Sequence, residues 1–185
     1  MPKAPYPIAV FSRIFAVILS ASPALAEAPL FDPFSGYRMA QYRAPIPAPP
    51  EGIPALSTAR VQALAAQGAT LLDVHPLRTF EIAANGTWLH PERHESLPGA
   101  LWLPVVGWGT TEAWADAYLH AALEEHASRD APVIVFCQLD CWLSWNAVQR
   151  VRALGYDARW YPGGVDDWQA EGLPLVPLDP LPLQN

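Results

Sequence analysis

The chain carries two cysteines, Cys137 and Cys141, both in the stretch VIVFCQLDCWLSWNAVQRVRALGY, where an apolar run gives way to an amphipathic one. A cysteine at the end of a buried strand, followed by a tight loop and the start of a helix, has backbone N–H groups and the positive end of a helix dipole aimed at its sulfur. Both stabilise a thiolate and lower the thiol pKa. The competing use is a small apolar side chain that fills the core beside Phe136. An extended chain would hold the two Cα atoms up to ~13 Å apart, whereas a disulfide tolerates roughly 4.4–6.8 Å, so a bridge between them requires the loop to curl.

Other groups capable of chemistry are few. Asp73 ends the apolar run ATLLDV. His90 and His94 have the i, i+4 spacing that could present two imidazoles to a metal from a helix face, with Glu92 or Glu95 nearby. Pro91 interrupts that segment, which therefore reads as a solvated loop, and no metal site is expected. Eight tryptophans are many for 185 residues. Trp142, Trp145, Trp108 and Trp168 could rim the cysteine loop, against the alternative that each packs in or over the core.

These residues need elements to position them. Ser57 or Thr58 can cap a helix with apolar positions at Val61, Leu64 and Ala65, closed by Gly68. The runs ATLLDV, GALWLPV and APVIVFC lack alternation, as expected of strands buried on both faces. Between the last two, Thr110 or Thr111 opens the helix TEAWADAYLHAALEEHA. A helix from about Leu143 to Leu154 and a strand in DARWYPG follow. Alternating strands and helices predict an α/β fold around a parallel sheet, with ligands outside the carboxyl ends of the strands. Cys137 stands at such an end.

The first residues read as a secretory signal: Lys3 and Arg13 without acids, a short apolar run, then Ala24-Leu25-Ala26, with cleavage expected after Ala26. An exported chain places both thiols in an oxidising compartment, the bacterial periplasm, where a lone pair forms a disulfide unless kept reduced. The net charge of −7 becomes more negative once Lys3 and Arg13 are gone, and such a surface repels nucleic acid and anionic lipid. No membrane attachment is expected after cleavage. Residues 27–55 are a proline- and aromatic-rich lead-in, 56–176 the domain, and 177–185 a proline-rich tail. Asn85-Gly86-Thr87 is read as a turn.

Four segments in order carry a family resemblance. LLDVHPLRTFE, SLPGALWLP, the cysteine loop with its helix, and WYPGGVDDWQAEGLPL resemble the corresponding motifs of rhodanese domains over about Leu56–Pro174. The resemblance implies an α/β three-layer sandwich with a central parallel sheet of about five strands. It also implies that Cys137 occupies the position at which that family carries a persulfide. Gln138, Leu139, Asp140, Cys141 and Trp142 then form the rest of the loop, and Asp73 has a structural role holding neighbouring amides. The family's loop has glycine at its fourth place and arginine at its second or sixth; here Asp140, Gln138 and Trp142 stand there. An anionic donor such as thiosulfate would meet a carboxylate and no guanidinium within the loop. The related phosphatases need arginine where Leu143 stands.

Within that fold, FDPFSGYR, CQLDCW and WYPGGVDDW resemble exported rhodanese-like proteins with a cysteine-pair-plus-tryptophan motif, associated with pyrroloquinoline-quinone (PQQ) dependent alcohol catabolism. That implies partners among PQQ-dependent dehydrogenases and cytochromes c, and no cofactor held by this chain itself. Three readings follow. The first is thiol-redox or sulfane-sulfur handling, with Cys137 attacking, Cys141 resolving and Trp142 shielding. The second is a non-catalytic accessory module whose disulfide stabilises the loop. The third, thiosulfate sulfurtransfer, is disfavoured by the missing arginine.

Overall fold

The computed structural model describes Met1 and residues 29–184, so the signal segment lies, beyond Met1, outside the described residues. In chain order the elements are α1 (Thr58–Ala65), β1 (Thr70–Asp73), β2 (Glu81–Ile82), β3 (Trp88–Leu89), β4 (Glu95–Ser96), β5 (Leu101–Trp102), α2 (Ala113–His126), β6 (Val133–Phe136), α3 (Trp142–Ala153), β7 (Ala158–Tyr161), α4 (Gly164–Ala170) and β8 (Val176–Pro177). The central sheet has four strands in the order β5-β1-β6-β7, all parallel. That is one fewer than the resemblance implied. Two short antiparallel pairs, β2–β3 and β4–β8, lie outside it; Asn85 and Gly86 turn the chain between β2 and β3, as read from the sequence.

Both faces of the sheet are covered, which is why its strands read as unbroken apolar runs. Leu72, Val133, Val135 and Trp160 pack against Tyr118, Leu119 and Leu123 of α2 and Val148 and Val151 of α3. The alternate residues Leu71, Ile134, Phe136 and Tyr161 pack against Val61 and Leu64 of α1 and Trp168 of α4. The side-chain period of two along each strand thus divides one apolar run between two cores. Helix starts depart from the capping expectations. Ser57 is the cap of α1 but makes no side-chain bond, the Thr58 hydroxyl instead meeting Tyr161 Oη at 2.9 Å. Glu112 caps α2, while Thr111 Oγ1 donates to Asp116 at 2.7 Å.

Each edge of the sheet is met by an irregular segment, which protects it from pairing with another chain. On the β7 edge Trp160 N donates to Pro54 O at 3.0 Å and its carbonyl accepts Leu56 N at 2.8 Å. On the β5 edge Leu181 N donates to Trp102 O at 2.9 Å. The lead-in is also anchored over α3. Asn146 is fully buried; its Oδ1 accepts Arg38 N at 2.8 Å, and its Nδ2 donates to Arg38 O at 2.9 Å and Gly107 O at 3.0 Å. One amide thus satisfies three backbone groups on two segments.

Replacing Asn146 by Ala strands those groups, at about 1–3 kcal/mol for each buried group left unpaired. The expected outcome is a lower urea midpoint and faster trypsin cleavage after Arg38 and Arg43, measured by peptide mapping. Unchanged protection of those bonds would show that the lead-in is held by other contacts.

Candidate functional site

β6 delivers Cys137 at its end with no exposed surface, and the loop then curls back so that Cys137 and Cys141 are joined in a disulfide, their Cα atoms 6.2 Å apart. The curl is made by Asp140, whose φ of 57° lies in the left-handed region that short polar side chains tolerate better than most. Cys141 is 3 % exposed and is the N-cap residue of α3. Strand end and helix start are therefore split between the two sulfurs. The expectation that Cys137 enjoys both is corrected, because the helix dipole acts most strongly at its first turn, and that is where Cys141 stands.

The loop is fastened from two sides. From the α4 side, Val165 N donates to Cys137 O at 3.0 Å, and Asp166 accepts Leu139 N at 3.0 Å. Gly164 makes this approach feasible: its φ is 54°, and a Cβ there would lie 2.4 Å from the Cys137 carbonyl oxygen. From the lead-in, Ala44 N donates to Asp140 O at 3.1 Å, and Tyr42 O accepts Trp142 N at 2.9 Å. Two amides that could have faced a terminal sulfur, those of Leu139 and Trp142, are thus engaged by protein oxygens.

Asp73 lies one strand away and is fully buried. Its carboxylate accepts His75 N at 2.8 Å and Ser96 Oγ at 2.5 Å, and contacts His94 Nε2 at 2.7 Å. The carboxylate thus holds one neighbouring amide, one hydroxyl and one histidine ring. The solvated-loop reading of His94 is corrected: its side chain is 8 % exposed, because the carboxylate and the Trp102 ring, 4.3 Å away between centroids, draw it inward. His90 faces the edge of Trp102 at 5.6 Å, and residues 90–94 form no helix. Among the described residues no group of three or more His, Cys, Asp or Glu side chains could hold a metal.

His75 escaped the sequence reading. It stacks on His94 with ring centroids 4.7 Å apart, and its Nδ1 is 3.9 Å from Cys137 Sγ. The signal was its place two residues after Asp73, just past a strand parallel to the one that carries Cys137.

The aromatic rim also differs from expectation. Trp142 packs against Trp145 at 5.2 Å and the edge of Phe31 at 5.4 Å, with the Arg38 guanidinium 4.7 Å from its ring centre. Trp108 pairs with Tyr42. Trp168 belongs to the opposite core, its Nε1 donating to Pro174 O. Beside Cys141 opens a pocket of about 500 Å³ whose walls include Gln41, Arg43, Arg78, Trp108 and Gln138. A second cavity of about 480 Å³, around Tyr37 and Arg150, touches neither sulfur. The guanidinium missing from the loop is thus matched by two that reach the pocket from distant segments.

Burial, reinforced by repulsion from His94 and Arg43 and opposed by Asp73 and Glu92, holds the His75 pKa below the ordinary histidine value. The unfolded chain then binds the proton more readily. Stability contributed by neutral His75 is complete above about pH 7 and falls as pH drops through about 6.5 towards the lowered folded pKa. Urea midpoints between pH 7.5 and 5 should fall more steeply for the native chain than for His75→Gln; equal slopes would show that His75 keeps its ordinary pKa.

A search of the curated proteins finds no match to the chain. Among solved structures it is similar to thiosulfate sulfurtransferase from Pseudomonas aeruginosa (19 % identity, TM-score 0.42), with 67 % of this chain aligned to 20 % of that one. The chain thus spans about a fifth of that structure. It is similar also to a full-length Lactobacillus plantarum protein (16 %, TM-score 0.44, 68 % and 88 % of the two chains) and to the human single-domain sulfurtransferase TSTD1 (29 %, TM-score 0.41, 65 % and 98 %). Residues 57–171 match the family model of the rhodanese-like domain, the span that holds the sheet, the disulfide loop and Asp73, and the chain belongs to that family.

Proposed function

We propose that this is an exported, periplasmic rhodanese-like protein that serves PQQ-dependent alcohol oxidation by thiol–disulfide exchange through Cys137 and Cys141. The observation that carries the redox reading is the disulfide closing the loop at the carboxyl end of β6. A bridged Cys137 cannot hold a persulfide. Two electrons and two protons from a pair of external thiols convert the bridge to two thiols and leave one external disulfide, so the exchange balances without a bound cofactor.

Support for the finer assignment comes from the three segments that carry the resemblance, which lie far apart in the chain and meet at the loop. Phe31 and Arg38, from FDPFSGYR, stack with Trp142 of CQLDCW. Val165 and Asp166, from WYPGGVDDW, hold the backbone of Cys137 and Leu139. A dehydrogenase or a cytochrome c is the proposed partner. The burial of both sulfurs favours a second reading, an accessory module in which the bridge only fixes the loop.

The bridge closes a ring across a sequence separation of four, so it contributes less chain-entropy stabilisation than a long-loop bridge and fits a working couple better than a staple. Equilibration with glutathione or dithiothreitol, read by thiol mapping, should give a reduction potential above about −300 mV. A lower potential would favour the accessory reading with its fixed bridge, and two free thiols in protein freshly isolated from periplasm would count against the redox reading. Thiosulfate:cyanide sulfurtransfer should be negligible, and the double variant Asp140→Gly, Trp142→Arg should raise it; turnover by the native chain equal to an arginine-loop rhodanese would contradict the loop argument.

A further inference from the structure

We infer that the pocket beside Cys141 is a binding site for a small thiol bearing a carboxylate, and that Cys141 is the sulfur such a thiol attacks. This rests on the redox reading above and names its substrate class.

The two sulfurs differ in access. Cys137 has no exposed surface and lies outside the lining of the 500 Å³ pocket, whereas Cys141 is 3 % exposed and forms part of its wall. That volume suits a small metabolite. The cationic groups on the wall are Arg43 and Arg78. Arg43 also lies 3.7 Å from Asp166, while Arg78 has no ion-pair partner among the described residues. Neither Asp140 nor Asp166 belongs to the lining, so the pocket presents net positive charge in a chain of net charge −7. A planar guanidinium matches a carboxylate through two parallel hydrogen bonds. Gln41 and Gln138 add amide groups, and Trp108 an apolar wall.

Backbone strain marks the same place. Among the described residues, the only two non-glycine residues with positive φ are Gln41 at 51° and Asp140 at 57°. One lines the pocket and the other immediately precedes Cys141. Such conformations cost free energy and persist where surrounding structure over-determines them, as at ligand-binding sites.

The exchange runs as follows. The external thiolate attacks Cys141 Sγ, the bond to Cys137 Sγ breaks, and its electron pair leaves as the Cys137 thiolate. His75 Nδ1, 3.9 Å from that sulfur, donates a hydrogen bond to the thiolate in the tautomer that carries its proton there. A second external thiolate then attacks the external sulfur of the mixed disulfide. It releases the Cys141 thiolate and an external disulfide, and both protein thiolates take up protons from solvent.

The test uses three thiols on the native protein: 3-mercaptopropionate, 2-mercaptoethanol and cysteamine. Each reduction rate is expressed per thiolate and divided by that thiol's rate with bis(2-hydroxyethyl) disulfide, which removes differences in intrinsic nucleophilicity. The corrected rate for mercaptopropionate should exceed that for mercaptoethanol about ten-fold, with cysteamine slowest. The advantage should shrink with added salt and in Arg78→Gln, as expected for steering by exposed charge. With oxidised 3,3′-dithiodipropionate, Cys137→Ser should form the mixed disulfide at Cys141 at least ten-fold faster than Cys141→Ser forms it at Cys137. Equal corrected rates for the three thiols, or preferential adduct formation at Cys137, would overturn the pocket assignment while leaving the redox reading intact. A native bridge that resists all three thiols and dithiothreitol would overturn both. The salt dependence is read on the native chain and stands even if a cysteine variant fails to fold.

Discussion

The parallel register between β1 and β6 is the constraint on which the site depends. Asp73 stands opposite Phe136, and Val74 N donates to Phe136 O at 2.9 Å, so the two strands end at the same level. Just past that level, Cys137 follows Phe136 directly and His75 stands two residues after Asp73, with its Nδ1 3.9 Å from Cys137 Sγ. A slip of one residue would turn Cys137 to the opposite face and remove the pairing, because successive side chains alternate. The register is held by burial. Leu71, Leu72, Ile134 and Val135 are almost wholly inaccessible, and each has a fixed core to enter.

That sheet cannot hold the loop by itself. Beyond Phe136 the backbone leaves the ladder, and its polar groups need partners in a region where water is largely excluded. They come from segments at opposite ends of the sequence, Tyr42 and Ala44 before the domain and Val165 and Asp166 near its end. Asn146 ties Arg38 to α3, which positions the following lead-in residues alongside the loop. Its prolines suit this work, since a segment that meets its partners through a few side chains and isolated amides has no need of a regular ladder.

What could be read in advance follows from range. Three of the four sheet strands announced themselves as apolar runs, and the curl of the loop followed from chain geometry alone once a bridge was assumed. The grip of Asn146 on Arg38 spans 108 residues, and no local period reports it. His94 read as solvated because Pro91 interrupts its segment; only the fold brings the Asp73 carboxylate to it. Arg43 and Arg78 were invisible as a pair for the same reason, since they reach the pocket from the lead-in and from the loop after β1. The two-residue strands β2, β3, β4 and β8 are too short to show any period.

The substitution of Asp140 for glycine and the arrival of Cys141 belong to one physical change. A loop that cradles a terminal sulfur must keep its amides turned inward and unpaired until that sulfur is present. Here the left-handed Asp140 bends the chain so that Cys141 closes on Cys137, and the amides of Leu139 and Trp142 turn to Asp166 and Tyr42. The sulfur partner that a cradle would receive from outside is supplied by the chain itself. In the bridged loop both of those amides are bonded to protein oxygens. On these grounds exchange of thiols at the pocket side of the bridge fits the geometry better than storage of sulfane sulfur at its buried end.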